Sequence, residues 1–126
     1  MKTFILYRIW YGNLISYVGQ TIQTLEQRTR QHFLYDCDLD LKATTKIEYA
    51  ILNSQADLNV YEIYYMNKYK SFENRNGYAE DKLSIELPDL KWELFDEKVF
   101  QKIKNTKPNK TVTRSIPKHY NGDDRF

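Results

Sequence analysis

The residue types able to do chemistry gather early, between Phe4 and His32, in the stretch FILYRIWYGNLISYVGQTIQTLEQRTRQH. Two phenols, Tyr7 and Tyr17, precede a guanidinium, Arg28, and an imidazole, His32. That set suits a phosphate ester better than an apolar ligand. A guanidinium offers a planar fork of donors to phosphoryl oxygens, and phenol and imidazole can hold or move a proton. A further candidate lies downstream. Glu62 falls inside the apolar stripe Leu58, Tyr61, Tyr65, Met66 and Tyr69 rather than on the wet side of its helix. A carboxylate placed there is costly unless it meets a cation or donors. An ion pair with Arg28 or a lysine would satisfy it, and so would a metal ion.

These groups need elements to hold them. Thr3 to Tyr11 reads as a strand with apolar residues on both faces, hence central in its sheet. Leu14 to Val18 reads as the returning strand, ended by Gly19. The loop length between them decides the site. A two-residue loop, Gly12-Asn13, would pair Tyr7 with Val18 and send Tyr17 to the opposite face. A three-residue loop, Tyr11-Gly12-Asn13, would set Tyr7 directly across from Tyr17, and this is the register expected. Thr24-Leu25-Glu26-Gln27 then fits a capping box opening a helix from Leu25 to about Leu34. Arg28 and His32 share one face of it, with Leu25, Thr29 and Phe33 packing alongside.

The remainder completes the frame. Tyr35 to Ala43 is an acidic loop whose alternating Asp36, Asp38 and Asp40 lack the glycine and closing glutamate of a calcium loop. Thr45 to Leu52 alternates as a third strand, and Gln55 to Tyr69 reads as a second helix after the cap candidates Asn53 and Ser54. Lys70 to Asp81 is a loop. Leu83 to Leu87 and Leu90 to Phe95 are strand-like, and Asp96 caps a last helix to about Lys104 with Val99, Phe100 and Ile103 inward. The division expected is 1–80 for the main domain, 81–104 for a strand and helix extension, and 105–126 for a basic flexible tail.

Composition narrows the class. The length of 126 residues fits one domain, and the formal charge of +2 is too small to indicate a nucleic-acid partner by itself. Its distribution says more: the chain from Lys98 onward carries Lys98, Lys102, Lys104, Lys107, Lys110, Arg114, Lys118 and Arg125 against Asp123 and Asp124. A basic tail fits a polyanion, and equally a solvated segment that aids solubility. Cys37 is the single cysteine, which rules out an internal disulfide and a cysteine-built zinc site. No stretch reaches the roughly 20 apolar residues of a membrane helix, and the N-terminal run is too short and aromatic for a signal peptide. A soluble, cytoplasmic protein is expected.

The motifs resemble those of the GIY-YIG nuclease family over roughly Thr3 to Tyr78. Ile5-Leu6-Tyr7 stands for the first motif, with Ile5 in place of its glycine, and Tyr17-Val18-Gly19 for the second. Arg28 falls on the family's arginine, His32 on the histidine or tyrosine one turn later, and Glu62 on the glutamate of its E-x-x-Y-I pattern. The asparagine after that helix falls on Asn74, with Asn76 as the alternative, and the usual Gly-Tyr-Asn ending reads Gly77-Tyr78-Ala79.

The resemblance implies a small α/β layer: a three-stranded antiparallel sheet flanked by helices, with a C-terminal extension. It implies a DNA endonuclease hydrolysing phosphodiester bonds with one Mg²⁺ (or Mn²⁺) held by Glu62 and waters. Arg28 would clamp the scissile phosphate, and Tyr7 would act as base or pass the water's proton onward. Tyr17 would orient the water or a phosphate oxygen, and His32 would touch phosphate or share the relay. Gly19 would keep the backbone open to substrate, and Asn74 would steady the strand ends. Small free-standing members of this kind resemble phage, mobile-element or restriction proteins.

Two other readings compete: a non-catalytic nucleic-acid-binding module on the same fold, and a small interaction protein with a tyrosine-rich core. No zinc finger or helix-turn-helix follows the nuclease-like part. Specificity would then come from the tail, from an oligomer such as a homodimer, or be low. Tyrosines and Trp92 are candidates for stacking on unpaired bases.

Overall fold

A computed structural model describes residues 2–108. It is an α/β structure with a four-stranded antiparallel sheet and three α-helices. In chain order these are β1 (Phe4–Tyr11), β2 (Leu14–Thr21), α1 (Leu25–Arg30), β3 (Lys46–Leu52), α2 (Gln55–Tyr69), β4 (Glu93–Leu94) and α3 (Glu97–Lys104). The sheet order is β2-β1-β3-β4. β1 is central because both its faces are apolar. Leu6 on one face and Tyr7 and Ile9 on the other are all essentially buried.

Strand alternation divides the core into two layers. On one face Leu6, Val18 and Leu52 pack against Leu58, Tyr64 and Tyr65 of α2. On the other, Tyr7, Ile9 and Ile47 pack against Leu25 of α1, Phe33 and Leu34, and Phe100 and Ile103 of α3. The amphipathic α3 therefore closes the same core as the hairpin. Its N-terminus is capped by the Asp96 side chain, which accepts from the backbone N–H of Lys98 and Val99.

Four sequence expectations are corrected. A fourth strand exists: β4 is two residues long and pairs with Glu48 and Tyr49 of β3, whereas 83–87 forms no strand. Pro88 and the polar residues around it leave that segment no continuous ladder. β2 continues through Gly19 to Thr21 instead of stopping there. The first helix leaves α geometry after Arg30 and passes into a π turn, Gln31–Tyr35, in which Asp36 N–H donates to Gln31 O at 2.8 Å.

The fourth correction is the hairpin register. Tyr11 pairs with Leu14, so the loop is the two-residue Gly12-Asn13, with Gly12 at φ +61°. Tyr7 stands opposite Gly19, neither Val18 nor Tyr17. The register slips between Ile9, which pairs with Tyr17, and Trp10, which pairs with Ile15. Ser16 is the extra residue of this bulge. It is buried, and its hydroxyl donates to Ile9 O at 3.2 Å. One inserted residue reverses the face of everything beyond it. Tyr17 thus returns to the Tyr7 face even though the loop is short.

The expected basic tail lies largely outside the described residues. Among those described, no helix is long and apolar enough to cross a membrane.

Candidate active site

Tyr7 is the hub. It projects from the central strand into the layer beneath α1, where its side chain is 1% exposed. Its hydroxyl lies 2.6 Å from His32 Nε2 and accepts from Arg28 Nε at 3.3 Å. Tyr17, one pair along on β2, brings its ring centroid to 6.0 Å from that of Tyr7 and 5.3 Å from that of His32. Three separate elements, the hairpin, α1 and the π turn, thereby converge on one phenolic oxygen. The capping box that starts α1 is complete: Thr24 Oγ1 accepts from Gln27 N–H, and Gln27 Oε1 accepts from Thr24 N–H. It fixes the helix start, and with it the reach of Arg28.

His32 is an interior residue, 1% exposed, and not a surface histidine. The π turn widens the backbone so that His32, Phe33 and Leu34 are all buried in succession. Its other ring nitrogen, Nδ1, lies 2.9 Å from Asp38 Oδ1. Asp38 was legible only as one of three alternating aspartates in a loop. Nothing in its spacing marks it as a partner of His32, because the contact depends on a helix ending that the sequence does not announce.

Burial pushes the Tyr7 phenol well above its ordinary range, and the neighbouring Tyr17 adds to this; Arg28 pulls the other way without prevailing. Burial likewise raises Tyr17, against the opposing charge of Arg28. Both phenols are therefore protonated at neutral pH. For Asp38, burial raises the carboxyl, but the hydrogen bond and charge of His32 outweigh it, and the net shift is downward.

Gly19 leaves the room that the two phenols occupy. A Cβ there would lie 2.6 Å from the Tyr7 hydroxyl oxygen, 2.6 Å from Tyr7 Cζ and 2.6 Å from Tyr17 Cε2. The space beside Gly19 is filled by the two tyrosines, which fold over it.

Asn74 sits in a 3-10 turn, Phe72–Gly77, laid against the outer side of β2. Its Oδ1 accepts from Val18 N–H at 2.6 Å and its Nδ2 donates to Val18 O at 3.1 Å. Ser71 Oγ donates to the same Oδ1 at 2.7 Å and so fixes the amide orientation. β2 is an edge strand, and Val18 lies between Tyr17 and Gly19, so the amide replaces the missing neighbour strand where the site needs it. The side chain of Asn76, the alternative, lies outside the described part.

Glu62 approaches from α2, beneath β2, and is half-buried. Its Oε1 accepts from Gln20 Nε2 at 2.8 Å. Gln20 in turn meets Asn59 and Gln55, whose amides complete a carboxamide cluster at the edge of the sheet. The ion pair weighed as an alternative to a metal is not made: no cation bridges Glu62 among the described residues. Burial raises its carboxyl, opposed by the Gln20 hydrogen bond. Its negative charge also helps to raise the Tyr17 phenol.

Trp92 is committed elsewhere. The Arg8 guanidinium lies 4.0 Å from its ring centroid and Tyr65 packs edge-on at 5.5 Å. Arg8 itself is held by Glu48 at 2.9 Å and by the Tyr69 hydroxyl at 2.8 Å. These aromatic residues brace α2 against the sheet.

No family model, curated protein or solved structure matches the chain.

Proposed function

We propose that the chain is a GIY-YIG-type nuclease that hydrolyses DNA phosphodiester bonds with a divalent cation. The observation that carries this reading is the meeting of Arg28 and His32 on the Tyr7 hydroxyl, beside Tyr17. A structural ion pair or a plain aromatic core would not require a guanidinium, an imidazole and two phenols to share one buried point.

The implied cation is tested by the donors around Glu62. No three His, Cys, Asp or Glu side chains stand together among the described residues. A multi-ligand zinc site is therefore a poor fit. A half-buried carboxylate without a cationic partner fits Mg²⁺ or Mn²⁺, hard cations that take one or two carboxylates and keep most of their waters. Bound through Glu62, such a cation would neutralise charge on the phosphoryl and leaving oxygens.

The chain's own residues supply the rest. Arg28, partly exposed, binds the scissile phosphate through the guanidinium nitrogens that Tyr7 does not use. The attacking water is held by Tyr17, the outer phenol of the pair. Because burial keeps both phenols protonated, neither serves as a standing phenolate. The proton of the water instead moves inward through the phenol pair to His32 Nε2, each oxygen receiving one proton as it gives one up. The water oxygen bonds to phosphorus, the P–O bond opposite breaks, and the leaving oxygen takes a proton from solvent.

The test is cleavage of single-stranded, duplex and branched DNA, with Mg²⁺, with Mn²⁺ and with chelator, by wild type and Glu62→Ala. Metal-dependent cutting by wild type, lost in the variant with DNA binding retained, is expected. DNA binding without cutting by wild type on any substrate would replace this reading with that of a binding module.

A further inference from the structure

We propose that Asp38 is a positioning residue of this site: it fixes the ring tautomer of His32 and so gives the phenol relay its direction. The inference rests on the nuclease reading above for its role in turnover, and on geometry alone for the tautomer.

The geometry begins with a backbone device. Two residues past the π turn, Cys37 adopts the left-handed conformation at φ 53°. Asp38 N–H then folds back to donate to His32 O at 3.1 Å, a return one residue wider than the 6→1 bond that closes an α-helix at a left-handed residue. Cys37 is fully buried and its Sγ donates to Phe33 O at 3.4 Å, which holds the reversal in place. The same turn carries the Asp38 carboxylate to 2.9 Å from His32 Nδ1. Asp38 therefore meets His32 twice, through its main chain and through its side chain. A surface aspartate that met the ring by chance would show only the second contact.

The proton positions follow from the partners. An ionised carboxylate offers only lone pairs, so Nδ1 must carry a proton to face it, and a bare Nδ1 would set lone pair against lone pair. Nε2 is then the acceptor, and the Tyr7 hydroxyl 2.6 Å away donates to it. With its own proton committed to His32, the Tyr7 oxygen can only accept from the Arg28 Nε–H beside it. The two links of the ring thus point one way, Tyr7 to His32 and His32 to Asp38, with the Tyr17 ring packed beside both Tyr7 and His32. The polar groups facing the imidazole are Tyr7 from β1, Tyr17 from β2 and Asp38 from the loop, while Arg28 of α1 reaches the same Tyr7 hydroxyl. Asp38 is the only anion among them, and it alone can balance the imidazolium that forms when His32 takes the relayed proton. The opposite tautomer would place a proton on Nε2, turn the Tyr7 hydroxyl outward and close the outlet. Asp38 touches neither water nor phosphate in this scheme and acts through His32.

The experiment uses the full chain. The ring nitrogens of His32 are observed by long-range ¹H–¹⁵N spectroscopy in wild type, Asp38→Asn and Asp38→Glu. The other histidine, His119, is identified by a His119→Gln control. Single-turnover cleavage of DNA with Mg²⁺ is measured on the same samples. Wild type is expected to show the Nδ1-protonated ring, and Asp38→Asn a shift toward protonated Nε2. The cleavage rate should fall about 10- to 100-fold in Asp38→Asn with KM changed less than about twofold, the range of a weakened proton-transfer step. Asp38→Glu, which keeps the charge, should recover part of both. An Nδ1-bare ring in wild type, or a tautomer indifferent to Asp38→Asn, would overturn the proposal. A tautomer shift with an unchanged rate would overturn the role in turnover. If wild type cuts no DNA, the nuclease reading falls and takes that role with it, while the spectrum still decides whether Asp38 sets the ring.

Discussion

Tyr7 and Gly19 face each other across β1 and β2, and the phenol occupies the volume that a side chain at position 19 would need. Tyr7 cannot yield, because its hydroxyl is pinned by His32 at 2.6 Å in a buried layer. Gly19→Ala should therefore destabilise the fold by about 1–3 kcal/mol, the usual cost of overpacking. It should also push the phenol off His32. Urea unfolding reads the first effect and the cleavage rate the second. A variant as stable as wild type would show that the tyrosine pair has room to move.

Asn74 satisfies both main-chain groups of Val18, a residue that is itself fully buried. Asn74→Ala leaves those groups without a protein partner on the outer side of β2. A loss of about 1–3 kcal/mol is expected for such unmet groups. Amide hydrogen exchange should localise it, with Val18 N–H losing protection while Leu6 in the central strand keeps its own. Uniform loss of protection would mean that the clamp supports the whole domain rather than one strand.

Glu62 sets activity against stability. Burial raises its carboxyl, so the folded chain holds this proton more tightly than the unfolded chain does. The stability this gives is full below the ordinary carboxylate range and is lost as pH rises through the raised value. At pH 7 the ionised group is therefore a burden. Glu62→Gln should raise Tm at pH 7, and the gap should narrow toward pH 4, while Mg²⁺-dependent cutting disappears. Mg²⁺ should raise the Tm of wild type and leave that of Glu62→Gln unchanged. A thermal scan across pH and Mg²⁺ concentration checks all three.

Arg28 spends one nitrogen on Tyr7, and in the proposed reaction its others take the phosphate. Arg28→Lys retains a charge and loses the fork. The rate of DNA cleavage should fall by about 10²- to 10³-fold, as when one oriented transition-state donor is removed. Binding should weaken much less. A lysine variant that cuts as wild type does would show that charge alone suffices and that the bond to Tyr7 is incidental.

Some of this was fixed locally and could be read from residue order. The α1 capping box depends on Thr24 and Gln27, three residues apart, and forms as expected. The bounds of α2, Gln55–Tyr69, and the Asp96 cap of α3 follow from periodicity and cap chemistry within a few residues. The central place of β1 follows from its two apolar faces. The approach of Arg28 and His32 to Tyr7 was legible from their shared helix face, whereas Tyr17 reaches them through the bulge at Ser16 and not through the expected three-residue loop.

Tertiary structure decided what depends on backbone irregularities and on partners distant in sequence. The bulge at Ser16 reverses a face with one residue, and no local preference distinguishes it from a regular strand until the buried hydroxyl finds Ile9 O. The π turn and the left-handed Cys37 bring Asp38 to His32, although an aspartate six residues away has no reason to meet it on a straight helix. Gly19 gains its role from the ring packed over it, and Asn74 from an edge strand 56 residues earlier. Residue order determined which chemical groups this protein owns and which helices carry them. The fold alone decided which hydroxyl points at which nitrogen, because hydrogen-bond direction in a buried site is set by all its neighbours at once.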